Sequence, residues 1–248
     1  MAISANSLFH LTRKESLFGI LKLKGFTPGC SLERLSKILP KESHYKRIYI
    51  PMVSFCDLTL TQITQNHIKE FGSFGLGFSK EWGIENKISP VAYLHQESIP
   101  SKLIEEVFVE ATDIFKGALN TRNVEFLDKL KHFYLFMKPY ESNYQKGKRK
   151  AKLVQHYNER EWRYIPDNKE LPIIKANDDE ALQFAKFILS KKTEVLRFDL
   201  KDIKYIIIDD TKSIDETVDV IKQLSDSESD KNELTTKIIT VREIVENF

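Results

Sequence analysis

Apolar and polar positions along the chain change their period several times, and each change marks an element. "SLFHLT" (residues 7–12) is a short apolar run of strand character with His10 in its middle. "RKESLFGILKLKG" follows with Leu17, Ile20 and Leu21 at helical spacing, and Gly25 is placed to stop the helix. "RIYIPMVSFCD" (47–57) reads as a second apolar strand, broken at Pro51. "LTLTQITQNHIKEFG" then reads as a helix with Gly72 at its C-terminal cap. "FGSFGLGF" (71–78) alternates glycine with aromatic and aliphatic residues, the pattern of a tight turn entering a strand that another backbone or a ligand approaches closely. Its GxxGxG spacing, ahead of a strand, is not that of a phosphate loop opening a helix. "SKEWGIEN" reads as a short capped helix and "ISPVAYLH" as a strand.

The middle of the chain is helical in rhythm. "SKLIEEVFVEATDIFKGALN" starts at a Ser101 cap and carries Leu103, Val107, Ala111 and Ile114 near one face. "VEFLDKLKHFYLFM" continues that character and stops before Pro139, and "KPYESNYQKGKRKAKLVQHY" reads as a polar loop. Beyond it, "NDDEALQFAKFILSKK" (177–192) and "SIDETVDVIKQL" read as helices, and "VLRFDLKDIKYIIIDD" as one or two strands. "SDSESDKNE" (225–233) lacks apolar residues and reads as a mobile loop, and "KIITVREIVENF" closes the chain as a strand and a helical turn.

The pattern predicts an α+β fold in which strands near residues 7, 48, 74, 90, 160 and 204 form one sheet with flanking helices. Composition agrees with a globular domain: 248 residues, 41% hydrophobic and 11% aromatic, are enough to bury a substantial core. With 38 Lys and Arg against 36 Asp and Glu, the net charge of +2 gives no whole-chain attraction to nucleic acid or membrane. Cys30 and Cys56 stand alone, without a CxxC or a zinc-finger histidine spacing, which suits buried thiols in a reducing compartment. No signal sequence or membrane-spanning run is legible, so a cytoplasmic protein with no membrane partner is expected.

Candidate chemistry concentrates in "NEREWRYIP" (158–166). In a strand, Glu159, Glu161 and Arg163 share one face, with Arg160, Trp162 and Tyr164 on the other. Carboxylates two residues apart sit about 7 Å from each other and could hold a ribose hydroxyl while facing a developing cation, which suits cleavage at a glycosidic carbon. The same pattern also fits a solvated edge strand with a Glu161–Arg163 ion pair. His10 is open in the same way, between a hydrogen-bonded structural residue and a ligand contact. No metal-ligand spacing involves His156, Glu159 and Glu161, and no metal is expected. The basic run of Lys146, Lys148, Arg149 and Lys150 is a candidate contact for phosphates of a dinucleotide or nucleic acid, or a solvated loop.

"SLFHLT…LFGILKLKGFTPGC", "IPMVSFCDLTLTQ", "HIKEFGSFGLGFSKEWGI…SPVAYL", "MKPYE", "YNEREWRYIP", "DIKYIIID" and the closing "KIIT" occur in this order, and together they resemble the AbiGi family of bacterial abortive-infection proteins. That resemblance implies a role in phage resistance as the antitoxin of a toxin partner with nucleotidyltransferase character. More distantly, the order of an HxT strand, a central serine-bearing strand and a late ExE strand is similar to ADP-ribosyltransferases. This likeness implies a split sheet, mostly antiparallel, around a cleft formed by residues 1–175, with 176–248 as a C-terminal α/β extension of a single domain. It implies NAD as substrate, His10 and Thr12 as NAD contacts, Ser54 as the central-strand residue, and Phe71 and Phe74 as stacking surfaces for nicotinamide. Glu161 would be catalytic, Glu159 would orient a macromolecular acceptor, and Arg163 with the basic run would contact substrate. Phenylalanine stands at 71 and 74, where the histidine-type enzymes would be best served by tyrosine.

Overall fold

The computed structural model describes residues 6–35, 38, 47–117, 126, 129–130, 132–144, 152–166, 174–175, 183 and 194–247. The expected helix over 177–192 and the basic residues Lys146, Lys148, Arg149 and Lys150 lie, apart from residue 183, outside the described residues.

The architecture is mixed α+β with a mostly antiparallel sheet. Among the described residues its largest sheet has nine strands. β1 (Ser7–Thr12) pairs along its whole length with β5 (Phe74–Ser79) and touches β4 (Arg47–Cys56) only at Phe9↔Cys56. β4 in turn pairs with β3 (Gly29–Arg34), with β11 (Glu161–Tyr164) and with the short β12 (Ile174–Lys175). β6 (Ser89–Pro90) flanks β11, so Glu161 does not lie on an edge strand. On the far side β14 (Ile203–Ile208) joins β5 and carries β15 (Ile238–Thr240) as a parallel neighbour. The sheet therefore takes strands from both ends of the chain.

Strand alternation sorts the core. Leu8, Phe55, Leu76, Phe78, Ile206 and Ile208 pack with Leu17 and Leu21 of α1 (Lys14–Leu23) and Val220 and Ile221 of the amphipathic helix Ile214–Lys222. Phe9 and Ile207 point the other way, onto Leu58, Ile63, Val241 and Ile244. A third cluster, around Ile48, Ile50, Met52 and Met137, lies under β3 and β4.

Several expectations need correction. α1 closes at Lys24, which takes the left-handed conformation (φ 48°), and Gly25 instead opens the short strand β2 (Gly25–Phe26). Pro51 does not break β4: on one side it lies between the stretches paired with β12 and β11, where no described strand asks for its missing N–H. Residues 58–71 form a 3₁₀ turn, Leu60–Gln62, and a separate α2, Gln65–Phe71. The Ser98 hydroxyl accepts a bond from the Ser101 N–H, so Ser101 lies inside α4 (Ile99–Gly117), buried, while Leu103 and Val107 are exposed. The polar loop after Pro139 is a hairpin of β9 (Glu141–Tyr144) and β10 (Lys152–Gln155), preceded by β8 (Met137–Pro139), which runs parallel to β7 (Ala92–Leu94). The acidic serine-rich stretch contributes a helix, Glu228–Thr235, started by the Ser227 hydroxyl accepting from Asp230 N–H and anchored by buried Leu234.

The glycine-rich entry into β5 brings backbones together as its pattern suggested. A Cβ at Gly75 would lie 2.5 Å from the His10 carbonyl oxygen, so β5 can pair closely with the strand that carries His10. Gly72 has φ 119°, and a Cβ there would collide with the carbonyl of Thr12. Gly72→Ala is expected to cost about 2–3 kcal/mol and to lower the melting temperature by roughly 5–10 °C in a thermal scan.

Candidate functional site

A cavity of about 840 Å³ opens where β1 and β4 diverge. His10 and Thr12 of β1, Ser54 of β4, Phe71 at the end of α2, Glu159 and Glu161 all line it, so six of the predicted residues share one wall system. Phe74 does not: strand alternation puts it with Leu76 and Phe78 in the core, 4% exposed. Arg163 lies behind the wall and is fully buried.

Local geometry explains how Glu161 is presented. After β10 the chain makes a 3₁₀ turn, His156–Glu159, and Arg160 reverses it in the left-handed region at φ 43°. β11 therefore starts at Glu161, and Glu159 belongs to the turn and not to the strand face once expected for it. From Glu161 onward the alternation holds, with Glu161 and Arg163 on one side. Trp162 and Tyr164 pack into the core on the other, and Lys80 lies over the Trp162 ring at 5.6 Å.

Glu161 is held by four donors. Its Oε1 accepts from the Ser54 hydroxyl and from Arg163 Nε, both at 2.9 Å. Its Oε2 accepts from Lys138 Nζ at 2.9 Å and from the second arm of Arg163 at 3.1 Å. Arg163 also donates to Glu33 Oε1 at 2.9 Å and to the Leu135 carbonyl at 2.7 Å. Lys138 also donates to Glu159 Oε2 at 2.7 Å, and Glu159 Oε1 meets His156 Nδ1 at 2.9 Å. The backbone N–H of Glu161 donates to the Tyr93 hydroxyl at 2.7 Å, which fixes where the strand begins.

The charges follow from these contacts. Burial alone would raise the Glu161 carboxyl, but Arg163 and Lys138 outweigh it and hold it down at about 2. Burial would likewise lower Lys138, and Glu161 with Glu159 pushes it above the ordinary lysine range instead. His10 is shifted the other way: burial lowers it, only partly offset by the bond from its Nδ1 to the Ser54 carbonyl at 2.8 Å. A carbonyl can only accept, so His10 carries a proton on Nδ1, and its ring is wedged against those of Phe26 and Phe55 at 5.0 and 5.7 Å. Cys56 donates to the Phe9 carbonyl at 3.3 Å, and burial drives its thiol up to about 12, so it behaves as a structural residue.

Lys138, Glu33 and Tyr93 were not singled out in the sequence. Lys138 sits in "MKPYE", and only the fold shows that it reaches "ERE" across 21 and 23 positions. No group of three or more His, Cys, Asp or Glu among the described residues is placed to hold a metal ion, and no helix among them is long and apolar enough to cross a membrane.

The class that fold and site define is an α+β domain with a cavity lined by an internally paired glutamate. A family model described as "Putative abortive phage resistance protein AbiGi, antitoxin" matches residues 27–209, and the chain belongs to this AbiGi family. That span holds Ser54, Lys138, Glu159, Glu161 and Arg163 and begins after His10 and Thr12. Similarity also extends to an abortive phage resistance protein AbiGi of Lactococcus lactis subsp. cremoris, 28% identical over 237 residues, 86% of this chain and 94% of that protein. No solved structure matches.

Removing one member of the buried network should be costly. Arg163→Met leaves Glu161 and Glu33 buried beside a neutral chain, an expected loss of about 3–5 kcal/mol in urea unfolding. The pH response has a defined sign. Because the Glu161 carboxyl falls from its ordinary 4.5 to about 2 on folding, its stabilisation is complete above pH 4.5 and disappears as the pH drops towards 2. Urea midpoints measured from pH 7 to 3 should fall most steeply below 4.5, and Glu161→Gln should lack that component.

Proposed function

We propose that the protein acts in phage defence as the antitoxin-type member of a pair, restraining a toxin partner of nucleotidyltransferase character. It does so on an ADP-ribosyltransferase-like scaffold whose glutamate is held out of catalysis. The family description supports the antitoxin role. The observation that carries the mechanistic half is the saturation of Glu161: four donors from Ser54, Arg163 and Lys138 occupy its acceptor directions. A carboxylate assists glycosidic cleavage by offering a lone pair to a ribose hydroxyl and negative charge to a developing cation. Here two cations within 3.1 Å already take both. The cleft is then a binding surface for a segment of the partner or a nucleotide signal.

A second reading, an active NAD-dependent ADP-ribosyltransferase or NAD glycohydrolase, is favoured by one arrangement. His10, Ser54 and Glu161 lie on the neighbouring strands β1, β4 and β11 and line the same cavity, with the Ser54 hydroxyl on the glutamate. In that case NAD would occupy the cleft as substrate, and a macromolecular acceptor would meet it beside Glu159.

Two measurements separate the readings. Purified protein incubated with nicotinamide-labelled NAD is expected to release no more label than the Glu161→Gln variant. Co-expressed with the toxic product of a neighbouring gene, both versions should restore growth. Label release by the native protein that Glu161→Gln abolishes would establish the enzyme reading, and failure of the native protein to restore growth would overturn the antitoxin role.

A further inference from the structure

Beside the cleft, three side chains form a chain that the restraining role does not use. The Ser142 hydroxyl lies 2.8 Å from His156 Nε2, and His156 Nδ1 lies 2.9 Å from Glu159 Oε1. The fold fixes each of them. Ser142 is in β9, paired with Val154 of β10; His156 follows the end of β10; and the 3₁₀ turn brings Glu159 back onto the imidazole at i+3. Lys138 Nζ holds the other oxygen of Glu159 at 2.7 Å.

The proton positions follow from the partners. Burial alone would raise the Glu159 carboxyl, but the bond from His156 and the charge of Lys138 prevail and keep it below the usual range, so it is an acceptor. With Glu159 accepting, a proton sits on His156 Nδ1, and in the uncharged tautomer this leaves a lone pair on Nε2. In that tautomer the Ser142 O–H is the donor across the 2.8 Å gap to Nε2. This is the order of nucleophile, general base and orienting carboxylate, and it does not depend on sequence position. His156 and Glu159 keep 18% and 20% of their side-chain surface exposed, and Ser142 is only half-buried, so the three side chains are not sealed from solvent.

We propose that Ser142, His156 and Glu159 form a nucleophilic centre for small esters, with Ser142 and His156 as catalytic residues and Glu159 as a positioning residue. The rings of Tyr140 and Tyr157, stacked 5.5 Å apart, lie close to Ser142 and His156 in sequence and offer an aromatic surface on the same hairpin and turn. Ser142 Oγ attacks the ester carbonyl carbon as its proton passes to His156 Nε2. The carbonyl–oxygen bond to the leaving alcohol breaks, and that oxygen takes the proton from His156, leaving an acyl group on Ser142. Water then attacks the acyl carbon, gives a proton to His156, and releases the acid as Ser142 recovers its proton. The step needs only ester and water, and it requires nothing of Glu161.

The test uses the full chain with a fluorescent fluorophosphonate and, separately, with p-nitrophenyl acetate. Fluorophosphonate is expected to label the peptide containing Ser142, and Ser142→Ala should abolish the label and lower acetate hydrolysis by ~10²- to 10⁴-fold. Glu159→Gln should lower kcat more than KM and move the acidic limb of the pH–rate profile, with Glu159→Asp restoring part of the rate. Native protein that takes no label at Ser142 would overturn the proposal. So would Ser142→Ala protein of unchanged melting temperature that hydrolyses the ester at the native rate.

Discussion

The buried pairing of Arg163 with Glu161 is the constraint around which the cleft is arranged. Arg163 is fully buried, and a guanidinium cannot shed its proton to escape that environment. Its charge must be met in place, and desolvation makes an imperfect match costly. The first partner is local: two residues along one strand put Glu161 on the same face at little entropic cost. Every other partner is distant in sequence. Glu33 comes from β3 and the Leu135 carbonyl from the segment before β8, and Ser54 of β4 joins them through Glu161. Satisfying one arginine thus fixes how several strands meet, which makes the network a device of registry more than of net stability.

Lys138 extends the constraint outward. It bridges Glu159 and Glu161, so the charge in the strand and the charge in the preceding turn are coupled through one ammonium. Displacing Lys138 would leave two carboxylates to repel each other and would loosen the orientation that His156 receives from Glu159. Cleft and hairpin thus share one cation.

How much of this was legible depended on whether the cause was local. β1, α1 and β5 stand close to where periodicity put them, and the sharing of a face by Glu161 and Arg163 follows from alternation alone. His10, Thr12, Ser54, Phe71, Glu159 and Glu161 were gathered through resemblance to an ordered set of strands, and the cavity does bring them together. Features set by long-range pairing were not legible. Pro51 looked like a strand break because its neighbours across the sheet were unknown. The polar stretch at 225–233 looked like a loop, yet a serine cap, one buried leucine and i,i+3 or i,i+4 ion pairs such as Lys231–Glu228 and Lys237–Glu233 accompany a short helix docked on the core. Phe74 resembled Phe71 in sequence, and only its packing with Leu76 and Phe78 shows that it belongs to the core.

Pattern alone offered two meanings for "NEREWRYIP", a pair of catalytic carboxylates or the wet face of an edge strand. Both assumed that Glu159 and Glu161 share one strand face. The left-handed turn at Arg160 separates them: Glu161 enters a strand flanked by β4 and β6 and is neutralised there, while Glu159 stays in the turn and reaches towards an imidazole. One carboxylate is surrounded by cations and the other shares its cation and keeps a histidine, so their environments push them into different roles. Chemistry in this part of the molecule is therefore better sought where Glu159 points than where Glu161 is buried.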